Sequence, residues 1–336
     1  MTPPLGKAAT SYDVAILAGV SRSAVSRAFT DGASISTETR KRVMAAAKEL
    51  GYHVNFLARS LQSRRSSLVG VVASAAESPF RAKQIKITAA ELVRRGYCPI
   101  LLSAETPDDI DNLTSSLFSY NVAGMIITSG TPPESIIAEC NRLSIPVVLV
   151  NREANVTGAD QVSMDINQGG QLAFDLLKSA GVQKFCAISP RIPTYSVNGR
   201  IDAYVSRCQK ENVPLQMVEI DGQSYASGLH AADQIAAHLD KIDGVFCGTD
   251  LIGLGVMDGL RYRHGLRIPE DIQILGFDDI DQTGWLSYNL STIRQNAGKL
   301  VKAAVDAMQQ RLEAPASAYQ QHIIAVEPVL RATTRK

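Results

Sequence analysis

Aromatic side chains are scarce in this chain of 336 residues, at 6%, and tryptophan occurs once, at Trp285. Cysteine is scarce too: Cys98, Cys140, Cys186, Cys208 and Cys247 are odd in number, far apart and set in apolar stretches. That pattern excludes a disulfide scaffold and predicts small core hydrophobes of a reducing compartment. The histidines, His53, His230, His238, His264 and His322, lack metal-ligand spacing, so no metal is expected. No apolar run approaches the roughly 20 residues of a membrane span. Residues 1–10 contain Lys7 but no apolar stretch of the about 7–15 residues that a secretory signal needs. A phosphate loop and a Gly-x-Ser-x-Gly elbow are missing, and Gly253-Leu254-Gly255 with Gly259 is mis-spaced for a dinucleotide fingerprint. The adjacent acids Asp278-Asp279 make a poor acid/base pair. The expectation is a soluble, cytoplasmic, multidomain protein that is not an enzyme and carries no cofactor.

What is present is a charge asymmetry hidden in a net charge of +1. Residues 1–66 hold ten Lys/Arg against Asp13, Asp31, Glu38 and Glu49, a balance of +6; the other 270 residues hold 24 basic and 29 acidic groups, a balance of −5. A small basic head on a mildly acidic body is expected where only the head meets a polyanion. A solvated basic surface gives the same count, so the pattern within the head decides.

Tyr12 to Ala18 reads as a short apolar helix with Asp13 in its first turn, where the helix dipole favours an acid. Gly19-Val20 breaks it, and Ser21 is a good N-cap for a second helix, Arg22 to Phe29. There Ala24, Val25, Ala28 and Phe29 form an apolar stripe and leave Arg22, Ser23, Ser26 and Arg27 on the other face. After Asp31-Gly32, a third helix starts near Ser36, carries Val43, Ala46, Ala47 and Leu50 on one side, and stops at Gly51. Three short helices with a tight turn between the first two describe a helix-turn-helix, whose second helix enters the major groove of DNA. Arginine bonds guanine bidentately and serine bonds bases or phosphate, so the exposed residues are of the right types.

Tyr12-Asp13-Val14-Ala15, Ala18-Gly19-Val20-Ser21, Val25-Ser26-Arg27, Thr39-Arg40 and Leu50-Gly51-Tyr52 together resemble the headpiece of the lactose/galactose repressor (LacI/GalR) family. The resemblance implies operator contacts at Tyr12, Ser21, Arg22, Ser23, Ser26 and Arg27. The following segment, Asn55 to Ser63, resembles that family's hinge helix, implying further contacts from Asn55, Ala58 and Leu61, with Leu61 wedged into the minor groove. A departure is Val54, where a proline is usual.

Beyond Ser67 the chain alternates apolar runs with helical stretches. Leu68–Val72, Cys98–Ser103, Ala123–Thr128, Val147–Asn151, Phe185–Ser189, Gly244–Cys247 and Ile272–Gly276 read as strands buried on both faces. Between them lie helical patterns such as Ile85–Arg95, Gln171–Ala180, Ala231–His238 and Leu251–His264. Such alternation predicts parallel sheets with right-handed crossovers, with ligands at the C-terminal strand ends. The expected architecture is an all-α helix-turn-helix headpiece (1–54), a hinge and linker (55–66), and an α/β core (67–336). The resemblance implies a periplasmic-binding-protein-like core of two doubly wound lobes. Their expected bounds are 67–164 plus 296–322, and 165–295 plus 323–336.

Ser78-Pro79-Phe80, Asp165, Arg200, Thr249-Asp250 and Gly276-Phe277-Asp278-Asp279 stand at or near strand ends and match that family's core. The implied effector residues are Phe80, Asp165, Arg200, Tyr225, Asp250 and Asp278. A strand-end Asp is often only a helix N-cap, and Phe80 and Tyr225 suit either the core or the apolar face of a sugar; Asp279 reads as structural. One Arg with two acids suits a neutral, hydroxyl-rich effector. Departures from the family pattern are Arg81 in place of a second aromatic, Ile166 in place of Asn, and Gln223 in place of an aromatic cover. The implied function is a transcriptional regulator, most simply a repressor. It binds operator DNA as a homodimer under control of a sugar-like small molecule, with no membrane partner and a nucleoid-associated location. No leucine heptad follows the last core strand, which favours a dimer over a tetramer. The alternative is a solute-binding protein of a sugar transport system, for which a basic headpiece has no use.

Overall fold

The computed structural model describes residues 9–29, 32–53, 66–74, 77–104, 109–128, 134–152, 156–192 and 194–335. The chain divides into two compact units, Met1–Ser67 and Leu68–Lys336.

The first unit is built from α1 (Ser11–Ala18), α2 (Arg22–Ala28) and α3 (Thr37–Glu49). Thr10 and Asp13 form a capping box at the start of α1, and Gly19 ends that helix in the left-handed region at φ 63°. Ser21 and Ser36 cap the next two helices through their side chains. Val14, Ala15, Ala18, Val25, Ala28, Val43, Ala46 and Ala47 form the core, with Phe29 and Tyr52 packed edge to face at 5.8 Å. The sequence pattern put Phe29 inside the second helix; it is instead the capping residue one position past its end.

The second unit holds two six-stranded sheets. In chain order its elements begin with β1 (Leu68–Ser74), α4 (Pro79–Arg94), β2 (Cys98–Ala104), α5 (Asp109–Phe118), β3 (Gly124–Ile127), α6 (Glu134–Arg142), β4 (Val147–Val150) and β5 (Asp160–Met164). There follow α7 (Ile166–Ser179), β6 (Phe185–Pro190), α8 (Tyr195–Lys210), β7 (Leu215–Ile220), α9 (Tyr225–Ala236), β8 (Gly244–Cys247), α10 (Asp250–Asp258), β9 (Gln273–Asp278) and β10 (Ser291–Arg294). Then come α11 (Ala297–Glu313), β11 (Gln321–Ile324) and β12 (Glu327–Val329).

The first sheet runs β11-β5-β4-β3-β1-β2 and the second β12-β10-β9-β8-β6-β7. All pairings are parallel except β10 with β12. β3, β4 and β8 are buried along their whole length, as strands with helices on both faces must be. The last crossing between lobes falls later than the expected break at 322. His322, Ile323 and Ile324 still pair with Val162, Ser163 and Met164, so β11 belongs wholly to the first sheet.

In each sheet the strand order reverses beside the first strand, between β1 and β3 and between β6 and β8. Those switch points leave a crevice at the carboxyl ends of the strands. Four cysteines, Cys140, Cys186, Cys208 and Cys247, are buried free thiols, and burial pushes Cys186 up to about 12. Cys98 departs from the expected pattern: it lies exposed on the edge strand β2. Among the described residues no helix is long and apolar enough to cross a membrane.

Candidate functional site

Two surfaces carry the candidate functional residues. On the first unit, the apolar stripe of α2 is turned into the core and its other side faces solvent. Ala24, Val25 and Ala28 are buried, whereas Arg22, Ser23, Ser26 and Arg27 are exposed. Ser21 Oγ accepts from the Ala24 amide at 3.2 Å and shares a 2.8 Å hydrogen bond with Ser23 Oγ, which fixes the start of the helix. Tyr12 is 60% exposed on α1. Not every basic residue is available to a partner: Arg40 donates to the Ala28 carbonyl at 2.7 Å and ties α3 to the end of α2. The hinge candidates Asn55, Ala58 and Leu61 lie outside the described residues.

The second surface is the cleft between the lobes, which encloses about 470 Å³ including its part open to solvent. Ser78, Phe80, Arg81, Thr128, Asn151 and Arg152 line it from the first lobe. Thr194, Arg200, Gln223, Thr249, Asp278 and Gln295 line it from the second lobe and the crossing segment.

Arg200 sits in the second turn of α8, which packs directly on α7. A Cβ at Gly170 would lie 2.1 Å from the Arg200 carbonyl, so only glycine permits this approach. The guanidinium donates to the carbonyls of Ser196 at 2.9 Å and Gly248 at 2.8 Å and to Asp278 Oδ1 at 3.2 Å. It also stacks 3.9 Å over the Phe277 ring. Asp278 receives a second hydrogen bond from Gln295 and adopts φ 125°, where side-chain-bearing residues rarely sit. Burial raises the Asp278 pKa, and the neighbouring Arg200 charge opposes that rise. Phe80, Arg200 and Asp278 are thus the three expected effector residues that the cleft brings together.

The other three stand elsewhere. Asp165 caps α7, accepting from the Gln168 amide at 2.8 Å. Tyr225 opens α9 and donates to Asp258 at 2.6 Å, a carboxylate that also holds Tyr288 at 2.9 Å. Asp250 is fully buried beneath Gly276, where a Cβ would fall 2.1 Å from its Oδ1. It accepts from Thr292 Oγ1 at 2.6 Å and the Ile280 amide at 3.0 Å, so it joins α10 to β10 and to the residues after β9. Burial first, then the charge of Asp278, lifts its pKa to about 8. Asp279 is structural, paired with Arg294 at 2.7 Å and Arg331 at 2.6 Å.

Residues outside the expected set also line the cleft. Arg152 follows β4, is 8% exposed and donates to the Thr128 carbonyl. Burial, and secondarily Arg81, lowers its pKa to about 10. Its signal was the end of the apolar run Val147–Asn151, a C-terminal strand end like those that were read. Gln295 had a comparable signal after Leu290–Ile293, and Arg81 stood out only as a departure from the family pattern. Among the described residues the cleft therefore holds one carboxylate and three arginines, not one arginine and two acids.

With this geometry in place, the comparisons with known proteins are specific. Residues 10–55 match the family described as bacterial regulatory proteins, lacI family, and residues 174–334 match the periplasmic binding protein-like domain. The chain is 31% identical over 331 residues to the ribose operon repressor of Bacillus subtilis, covering 98% of this chain and 99% of that protein. It is 26% identical to the HTH-type transcriptional repressor PurR of Actinobacillus pleuropneumoniae, covering 97% and 98%. Among solved structures, a LacI family regulator from Enterococcus faecium with bound ribose superposes with a TM-score of 0.70 at 26% identity, over 80% of this chain and 98% of that one. The lac repressor dimer bound to operator shares the fold with a TM-score of 0.86 at 23% identity, over 98% and 100%.

Proposed function

The chain belongs to the LacI family of bacterial regulatory proteins, a transcriptional regulator and not an enzyme, and from that premise we propose how its parts work. The first unit lays α2 in the major groove, where Arg22 and Ser23 read base edges and Ser26 and Arg27 make the adjoining base and phosphate contacts. Tyr12 and Ser21 flank that row, and Asn55, Ala58 and Leu61 carry the hinge contacts. A symmetric site needs two such headpieces in two-fold relation, so the chain acts as a homodimer on a pseudo-palindromic operator. The cleft of the second unit takes a small, sugar-like effector, held by Arg200 and Asp278 with Phe80 against its apolar face. The place of action is the cytoplasm, at the nucleoid, where its DNA partner is.

The observation that carries this reading is the solvent-facing row Arg22, Ser23, Ser26 and Arg27 on a helix whose opposite side is the core. An effector shifts DNA binding only through its different affinity for the two arrangements of the body. A cleft formed by both lobes has that property, because lobe closure changes every distance across it. Deleting residues 1–62 tests the division of labour. The shortened chain is expected to keep ligand binding and lose all DNA binding. A solute-binding protein would lose nothing, and that outcome would overturn the reading.

A further inference from the structure

Resting on the reading that the interlobe cleft takes a small hydroxylated effector, we propose that this effector carries an anionic group, a phosphate or a carboxylate on a sugar skeleton. Among the described residues three arginines, Arg81, Arg152 and Arg200, line the cleft against one carboxylate, Asp278. Arg81 has counter-charges of its own in Asp278 and Glu77, so the cation whose demand is unmet is Arg152. The second acid that would favour a neutral ligand, Asp250, lies below the cleft and is satisfied by Thr292 and Ile280.

A cation taken out of water needs a partner charge and filled hydrogen bonds. Arg200 has both, from Asp278 and two carbonyls. Arg152 has one carbonyl, no carboxylate partner among the described residues, and a buried Nε without a hydrogen-bond partner. Of the eight such orphaned side-chain atoms among the described residues, three line this cleft: Arg152 Nε, Thr194 Oγ1 and Gln295 Oε1. Two donors and one acceptor suit a ligand with an oxyanion and hydroxyls.

The backbone adds to the same field. α4 and α8 are 16 residues each, and their N-cap residues, Ser78 and Thr194, both line the cleft. Neither uses its side chain to cap its helix. Two positive helix ends, one from each lobe, therefore open toward the space that Arg81 and Arg152 border, which is the arrangement that holds phosphate and carboxylate groups. Arg81 and Arg152 belong to the first lobe and Arg200 to the second, so one anionic ligand between them favours the closed arrangement.

The test is calorimetry and thermal shift on the full chain with matched sets: ribose, ribose 5-phosphate and ribonate; glucose, glucose 6-phosphate and gluconate. At least one anionic member is expected to bind roughly tenfold or more tightly than its neutral parent, the factor of one good charge-assisted contact. The phosphate and carboxylate arms say which group is held. Arg152→Gln should erase most of that preference and Arg152→Lys should retain it, which separates loss of charge from loss of fold. Neutral parents binding as tightly as their anionic partners, no anionic member binding in either set, or a preference indifferent to Arg152→Gln would overturn the assignment. Operator binding, measured on the same preparations, stands or falls independently and reports on the regulatory reading alone.

Discussion

Replacing Arg200 by alanine removes the cation from a site built around it, and the consequences are calculable. The side chain is 2% exposed; its loss strands Asp278, 7% exposed, and unpairs the carbonyls of Ser196 and Gly248. It also strips the Phe277 ring of its stacked guanidinium. Breaking a buried ion pair from one side costs about 3–5 kcal/mol. That cost must depend on pH. Asp278 is already raised by burial, and Arg200 is the largest influence holding it down. In Arg200→Ala the folded-state pKa therefore climbs further above the unfolded value of about 4. A carboxyl raised in the folded state loses stability as pH rises from its unfolded pKa toward its folded one. The variant should be penalised least near pH 4–5 and most near pH 8. Adding Asp278→Asn should recover a large part of the loss at pH 8, since no stranded charge remains. Urea unfolding of the full chain at both pH values, followed by the fluorescence of Trp285, its only tryptophan, reads the second lobe directly. A cost that is equal at pH 5 and pH 8 and unrelieved by Asp278→Asn would refute the reasoning. Arg200→Ala should also abolish the influence of effector while leaving operator affinity without effector close to wild type.

Asp250→Asn should flatten the fall in wild-type stability between about pH 4 and pH 8, because Asp250 titrates near 8 when folded and near 4 when unfolded. Denaturant midpoints across that range check this, and parallel wild-type and variant curves would contradict it. Gly170→Ala should lower stability by about 1–3 kcal/mol and weaken effector binding, because the new methyl meets the Arg200 carbonyl; an unchanged melting temperature would show that α7 and α8 separate freely.

The first unit was legible almost residue by residue, because its helices are short, α2 and α3 bury one apolar side, and Gly19, Ser21 and Ser36 mark their bounds. The central strands were equally plain: buried on both faces, β3 and β4 are continuous apolar runs. The edge strands β7 and β11 were not singled out. β7 alternates toward solvent and β11 carries Gln321 and His322, so neither has a run to detect. In the cleft, a strand-end Asp announces polar chemistry but not its direction. Asp165, Asp250 and Asp278 look alike in sequence, yet one caps a helix, one is sealed beneath Gly276 and one faces ligand space. Tyr225 was ambiguous for the same reason, its partner Asp258 lying 33 residues away in sequence. Arg152 carried a signal of the same strength as those that were read.

Selection of the full chain against randomised duplex DNA, in parallel with Arg22→Ala, tests the central claim most directly. The wild type should enrich a two-fold-symmetric site whose affinity shifts when effector is added. Arg22→Ala should bind that site about 1–3 kcal/mol more weakly and relax the preference at one base pair in each half. Enrichment of no sequence by the wild type, or an identical preference in Arg22→Ala, would contradict the account.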